Sequence, residues 1–163
     1  FLGFFSQLLV LITYPLGWIP RLWYPPCPPV PGAPAVLLVH GLYHNASAWT
    51  LFKLRLKRAG FKNVYAFSYS SWNTQFHSVA KSLDKRINQV LSDCPEQRLL
   101  LVGHSLGGLL IRHYMGSGSR RDEIMGAVTL GAPHQGSKLA ALGPGRLSRT
   151  LIYHGPLIQR IES

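Results

Sequence analysis

Acidic side chains are scarce in this sequence. Six Asp and Glu stand against seventeen Lys and Arg among 163 residues, a formal net charge of +11. Such a balance suits nucleic acid or an anionic membrane surface, or is simply a solvated basic exterior. The cations form no single run. They are spread over 53–58, 81–86, 112–121 and 146–160. With no zinc-finger spacing and no RNA-binding aromatic signature, no nucleic-acid partner is expected. Cysteine is equally sparse. Cys27 and Cys94 lack metal-ligand spacing, so no metal site is expected, while free thiols and a disulfide both stay open. There is no internal repeat. A 47% share of apolar residues excludes a disordered chain and suits one domain with a real core.

Charge is absent altogether from Phe1 to Ile19, and the first charged residue is Arg21. That length fits a membrane-spanning or signal-anchor helix, with a buried N-terminal helix or a cleaved signal peptide as rivals. Trp18, Trp23 and Tyr24 would form its interfacial aromatic belt. Residues 1–24 are therefore expected to be a hydrophobic anchor and the protein membrane-associated. Residues 25–34 carry six prolines and read as a stiff, extended tether. The tripeptide Asn45-Ala46-Ser47 matches a glycosylation sequon, a pattern too common to carry weight.

From residue 35 to 163 the pattern alternates. Ala35–Val39 is an apolar run expected of a strand buried on both faces. A helix follows over 47–59, closed by Gly60, then a strand over 63–69. Phe76, Val79, Ala80, Leu83, Ile87, Val90 and Leu91 trace one face of a second helix. Strand 98–102, helix 105–115 and strand 124–130 complete the series. The expectation is an α/β fold, a parallel sheet with flanking helices, preceded by an N-terminal hydrophobic helix.

The chemistry concentrates at Gly103-His104-Ser105-Leu106-Gly107, between a hydrophobic strand and a helix. A serine nucleophile there must occupy a sharp turn, and glycines two residues on either side remove collisions. Its hydroxyl then stands at a helix N-terminus, where the dipole favours developing negative charge. The competing reading is a glycine-rich helix start with a capping serine. A tetrahedral intermediate needs two backbone donors. The amide of Leu106 is one candidate, and the amide of Leu42, in the His40-Gly41-Leu42 loop, is the other. His40 is read as a structural residue fixing that loop.

Val-His-Gly-Leu at 39–42, Gly-His-Ser-Leu-Gly-Gly at 103–108 and Leu-Gly-Ala-Pro-His-Gln-Gly-Ser at 130–137 resemble the bacterial lipase and esterase branch of the α/β-hydrolases. The resemblance covers about residues 35–142. It implies hydrolysis of carboxylic esters, with lipid esters as substrates and no cofactor. It also implies Ser105 as nucleophile, Leu42 and Leu106 as oxyanion donors, and His134 as a structural histidine beside the site.

In this fold the triad runs Ser, acid, His. Asp122 and Glu123 precede the last strand and so sit at its N-terminal edge, about 17–20 Å from the end that bears the site. Glu162 follows every histidine. Of the histidines after Ser105 (His113, His134, His154), only His154 is a candidate base, if an irregular tail folds back over the site. The sequence is therefore expected to be truncated, with the triad acid and base beyond residue 163. A non-catalytic hydrolase-like domain or membrane-associated binding module is the alternative function.

Overall fold

The computed structural model describes residues 12–24, 29–94, 98–138 and 143–162. Four strands, β1 (Ala35–Val39), β2 (Asn63–Phe67), β3 (Leu99–His104) and β4 (Ile124–Leu130), form one sheet in the order β2-β1-β3-β4. Every pairing is parallel. The helices are α1 (Pro20–Trp23), α2 (Thr50–Arg58), α3 (Phe76–Asp93), α4 (Leu106–Ser117), α5 (Arg146–Arg149) and α6 (Pro156–Glu162).

The central strands read as unbroken apolar runs because both faces are covered. Leu37, Val39, Phe67, Leu99 and Leu101 point to one side and pack against Leu83, Ile87, Leu109 and Leu110 of α3 and α4. Val36, Leu38, Val64, Ala66 and Val102 point to the other, under Trp49 and Trp23. All seven apolar residues assigned to the inner face of α3 are buried. β4 lies at the sheet edge and is fully buried at none of its residues.

Register decides where the functional loops emerge. Val39 lies beside both Phe67 and Gly103, and Gly103 lies beside Thr129. The residues that follow these positions, His40–Gly41, His104–Ser105 and Leu130–Gly131, therefore leave the sheet at one edge.

Two expectations are corrected. Residues 12–24 are not part of one long helix: a 3-10 turn over Tyr14–Trp18 opens on Pro15, and α1 opens on Pro20. Proline lacks the N–H that a continuous helix would need at both places. Among the described residues no helix is long and apolar enough to cross a membrane; residues 1–11 lie outside them. Trp23 is not an interfacial anchor. It is 6% exposed, donates Nε1–H to the Leu16 carbonyl and carries Lys53 Nζ 5.2 Å above its ring. The proline-rich segment is bound where it is described. Asn63 accepts the Val30 N–H and donates to the carbonyls of Val30 and Ala33.

The tail is ordered rather than irregular. Leu147, Leu151 and Ile158 are buried in the α3–α4 core. Ser137 and Ile152 form a parallel bridge, and the His154 N–H bonds the Gln135 carbonyl at 3.0 Å.

Candidate active site

Ser105 occupies the turn between β3 and α4 with φ +52° and ψ −120°. A non-glycine residue held there costs about 1–3 kcal/mol, so the surroundings must enforce it. They do so through backbone contact at the two flanking glycines. A Cβ on Gly103 would stand 2.6 Å from the Gly107 carbonyl carbon, and one on Gly107 would stand 2.2 Å from the Val39 carbonyl oxygen. The turn is pinned to the neighbouring strand by the Ser105 N–H, 2.9 Å from the Leu130 carbonyl. The Ser105 side chain makes no capping bond. Among the described residues its hydroxyl has no hydrogen-bond partner, which counts against the capping-serine reading.

The β1 loop lies directly against this turn. A Cβ on Gly41 would come 3.0 Å from Ser105 Cβ and 3.1 Å from His104 Nδ1. His40 is fully buried. Its Nε2 accepts the Tyr69 N–H at 3.1 Å, so Nδ1 carries the proton and donates to the Gly41 carbonyl at 2.8 Å. Tyr69 also stacks on the ring at 4.1 Å and donates its hydroxyl to the His40 carbonyl. Burial pushes the His40 imidazole down to about 4, so it is neutral at pH 7. In this bonding His40 ties the β1 loop to Tyr69. Beyond Gly41 the loop continues through Leu42, to Tyr43 at φ +58°, whose N–H bonds Ser71 Oγ at 2.9 Å.

The amides of Leu42 and Leu106 have no hydrogen-bond partner among the described residues. For Leu106 the reason is general, since the first N–H groups of a helix have no intrahelical acceptor. His134 hangs from β4, its Nε2 3.1 Å from Thr129 Oγ1, while Arg112 donates to its carbonyl at 3.2 Å. That loop presses on α4: a Cβ on Gly108 would lie 2.5 Å from Ala132 Cβ. His44 and His104 face each other edge-on at 6.3 Å, and burial lowers the pKa of both.

The structure does not bring the remaining candidates to Ser105. Asp122 is fully exposed, and Glu123 is paired with Arg120 at the start of β4, at the edge opposite the turn. His113 packs against Phe76. His154 is exposed and rests on Tyr153. Among the described residues no Asp, Glu or His bonds the Ser105 hydroxyl. Nor does any cluster of acidic, His and Cys residues there have the makings of a metal site.

Sequence reasoning missed Tyr69 and Asn45. Tyr69 was signalled by register: it lies two residues past Phe67, as Gly41 lies two past Val39. Asn45 was read only as part of a sequon. It is 1% exposed and its amide nitrogen donates to the Tyr14 carbonyl at 2.8 Å, so a glycan there is incompatible with this fold.

A family model described as the alpha/beta hydrolase family matches residues 36–161. No curated protein sequence matches the chain. Among solved structures, phospholipase PlaB from Legionella pneumophila superposes with a TM-score of 0.65 at 19% identity, over 78% of this chain and 34% of that one. The mature lipase BlEst2 from Bacillus licheniformis gives 0.65 at 20% identity, over 82% and 60%. A monoacylglycerol lipase from Paleococcus ferrophilus gives 0.51 at 30% identity, over 69% and 47%. The chain thus spans between about a third and three fifths of the length of these structures. On the family match and the parallel sheet that carries the turn, the chain belongs to the alpha/beta hydrolase family.

Proposed function

We propose that the chain carries the nucleophile and oxyanion loop of a serine hydrolase acting on carboxylic esters, lipid esters foremost. The observation that carries the reading is Ser105 itself, held at φ +52° at the head of α4 with its hydroxyl uncommitted and Gly41 against it. Ser105 Oγ attacks the ester carbonyl carbon, and the carbonyl oxygen becomes an oxyanion that accepts from the Leu42 and Leu106 amides. The intermediate collapses as the carbon–alkoxide bond breaks. The alcohol leaves with a proton, and water then hydrolyses the acyl-serine. The resemblance to lipases and a phospholipase supports the choice of lipid esters.

A fluorophosphonate probe tests this directly. Oγ–P bond formation with loss of fluoride and a proton should leave a stable label on Ser105, and Ser105→Ala should take none. Wild-type protein that labels no better than Ser105→Ala would overturn the proposal. In that event the second reading, a non-catalytic binding module, gains. It is favoured by the lack of any acid or histidine on the Ser105 hydroxyl among the described residues.

We also infer a membrane-surface location. Residues 12–22 expose Ile12, Leu16, Trp18, Ile19 and Leu22, with Arg21 among them. Nearby α2 exposes Leu51 and Leu54 and carries Arg55, Lys57 and Arg58 with no acidic residue. Apolar side chains rimmed by cations suit an anionic lipid surface. Co-sedimentation with anionic vesicles should exceed that with zwitterionic ones and fall as salt rises. Equal binding to both vesicles, or binding indifferent to salt, would count against it.

A further inference from the structure

The β1 loop is tied down at three places. His40 is held by Tyr69, the Tyr43 N–H by Ser71, and the far end by Asn45. The third tie is unlike the others, because its partner lies in the N-terminal segment, outside the α/β unit. Asn45 Oδ1 accepts from both the N–H of Ser47, at 3.0 Å, and its hydroxyl, at 2.7 Å. With the oxygen so occupied the amide orientation is fixed, and Nδ2 must find an acceptor inside the protein. That acceptor is the Tyr14 carbonyl at 2.8 Å. One turn later the backbone of Gly17 lies flat on the same amide. A Cβ on Gly17 would stand 2.1 Å from Oδ1 and 2.5 Å from Nδ2. The segment is independently fastened further on, by Lys53 Nζ donating to the Leu22 carbonyl and by Trp23 buried beneath the sheet.

We infer that Tyr14–Gly17 is a positioning element for the loop that bears the Leu42 amide, acting through Asn45. Withdrawal of the segment takes away both the acceptor and the cover of the Asn45 amide, which then exchanges its fixed partner for mobile water and no longer holds the loop in one place. The loss is local to the point where the loop enters the 46–49 turn. The loop then loosens while the sheet stays intact. Asn45 is thus a positioning residue, and the N-terminal segment couples to the site through one buried amide. Its link to catalysis rests on the oxyanion role proposed above for Leu42; the seat itself does not.

Full-length chain carrying Gly17→Ala tests the seat, because the added methyl falls on the Asn45 amide. Amide hydrogen exchange at residues 42–45 should quicken about tenfold, with β1 and β3 unchanged. Trp18→Ala, on the same segment but 62% exposed, should change nothing. Fluorophosphonate labelling of Gly17→Ala should show a maximal rate lowered about tenfold with the half-saturating probe concentration unaltered, the split expected when only the donor geometry is disturbed. Lys53→Met, which loosens the segment from a point away from the loop, should reproduce both effects in weaker form. It also decides the matter if Gly17→Ala raises exchange throughout the chain. Unchanged exchange at 42–45 in Lys53→Met, with Trp23 emission shifted by its exposure, would overturn the inference. If wild-type Ser105 takes no label at all, the esterase reading fails, and the exchange measurement alone still decides the seat.

Discussion

His40 has both ring nitrogens engaged in a way that only the neutral imidazole can satisfy, since Nε2 accepts and Nδ1 donates. Its pKa of about 4 lies below the ordinary 6.5. As pH falls from 6.5 towards 4, the unfolded chain takes up a proton that the native state refuses. Stability therefore falls through this window, by about 3 kcal/mol when complete. Below the folded pKa both states are protonated and no further loss comes from this residue. Burial shifts His44 and His104 the same way. Urea midpoints taken from pH 7 to 4 should drop steeply in the wild type and less steeply in His40→Gln, whose midpoint at pH 7 is already lower. Parallel profiles would remove His40 as the cause. Gly107→Ala is a stability experiment of a different kind, because backbone atoms of Val39 and His40 cannot yield to its methyl. The expected outcome is a loss of at least about 2 kcal/mol, read from the same urea midpoints.

At the level of elements, regular periodicity was legible and irregular packing was not. Leu83 and Ile87 on α3 are both fully buried, as their 3.6-residue spacing required. Leu83→Ala should cost about 2–5 kcal/mol in a urea titration; a change under 1 kcal/mol would mean that α3 does not carry the core. The sharp turn over residues 103–107 was equally readable, because its constraint is local: glycines two residues either side of Ser105. Residues 12–24 were misread for the opposite reason. Hydropathy reports that a segment is apolar, not what it packs against. Pro15 and Pro20 were the sign that a long helix would break, but the Lys53–Trp23 contact and the Asn45–Tyr14 bond join residues more than twenty apart in sequence. The tail was missed similarly, since Leu147, Leu151 and Ile158 follow no strand period and gain their burial from α3 and α4.

The whole molecule has one asymmetry. β2, on one edge, is buried at all its residues, whereas β4, on the other, exposes Met125, Val128 and Leu130 and has no strand beyond it among the described residues. An unpaired apolar edge is a template for association. Sedimentation velocity should find this chain self-associating as concentration rises, and Val128→Lys should suppress that without lowering the urea midpoint. A wild type that stays monomeric would show the edge to be harmless. The excess of cations opposes such contact by repulsion, so added salt should promote association even as it weakens binding to anionic vesicles.

Cys94 closes α3 with its thiol free, 1% exposed and 3.7 Å from the Tyr65 hydroxyl, and burial raises its pKa. A thiol in that position is a clock. It meets reagent only when the end of α3 lifts from β2, so its alkylation rate counts openings of the α3–β2 seam and nothing faster. In Cys27→Ser protein, saturation of that rate with reagent would give the opening frequency itself. The interior thus carries its own timer beside the last residue of the N-terminal segment, where Tyr24 lies on Tyr65 and donates to Asp93, so that release of that end can be timed directly.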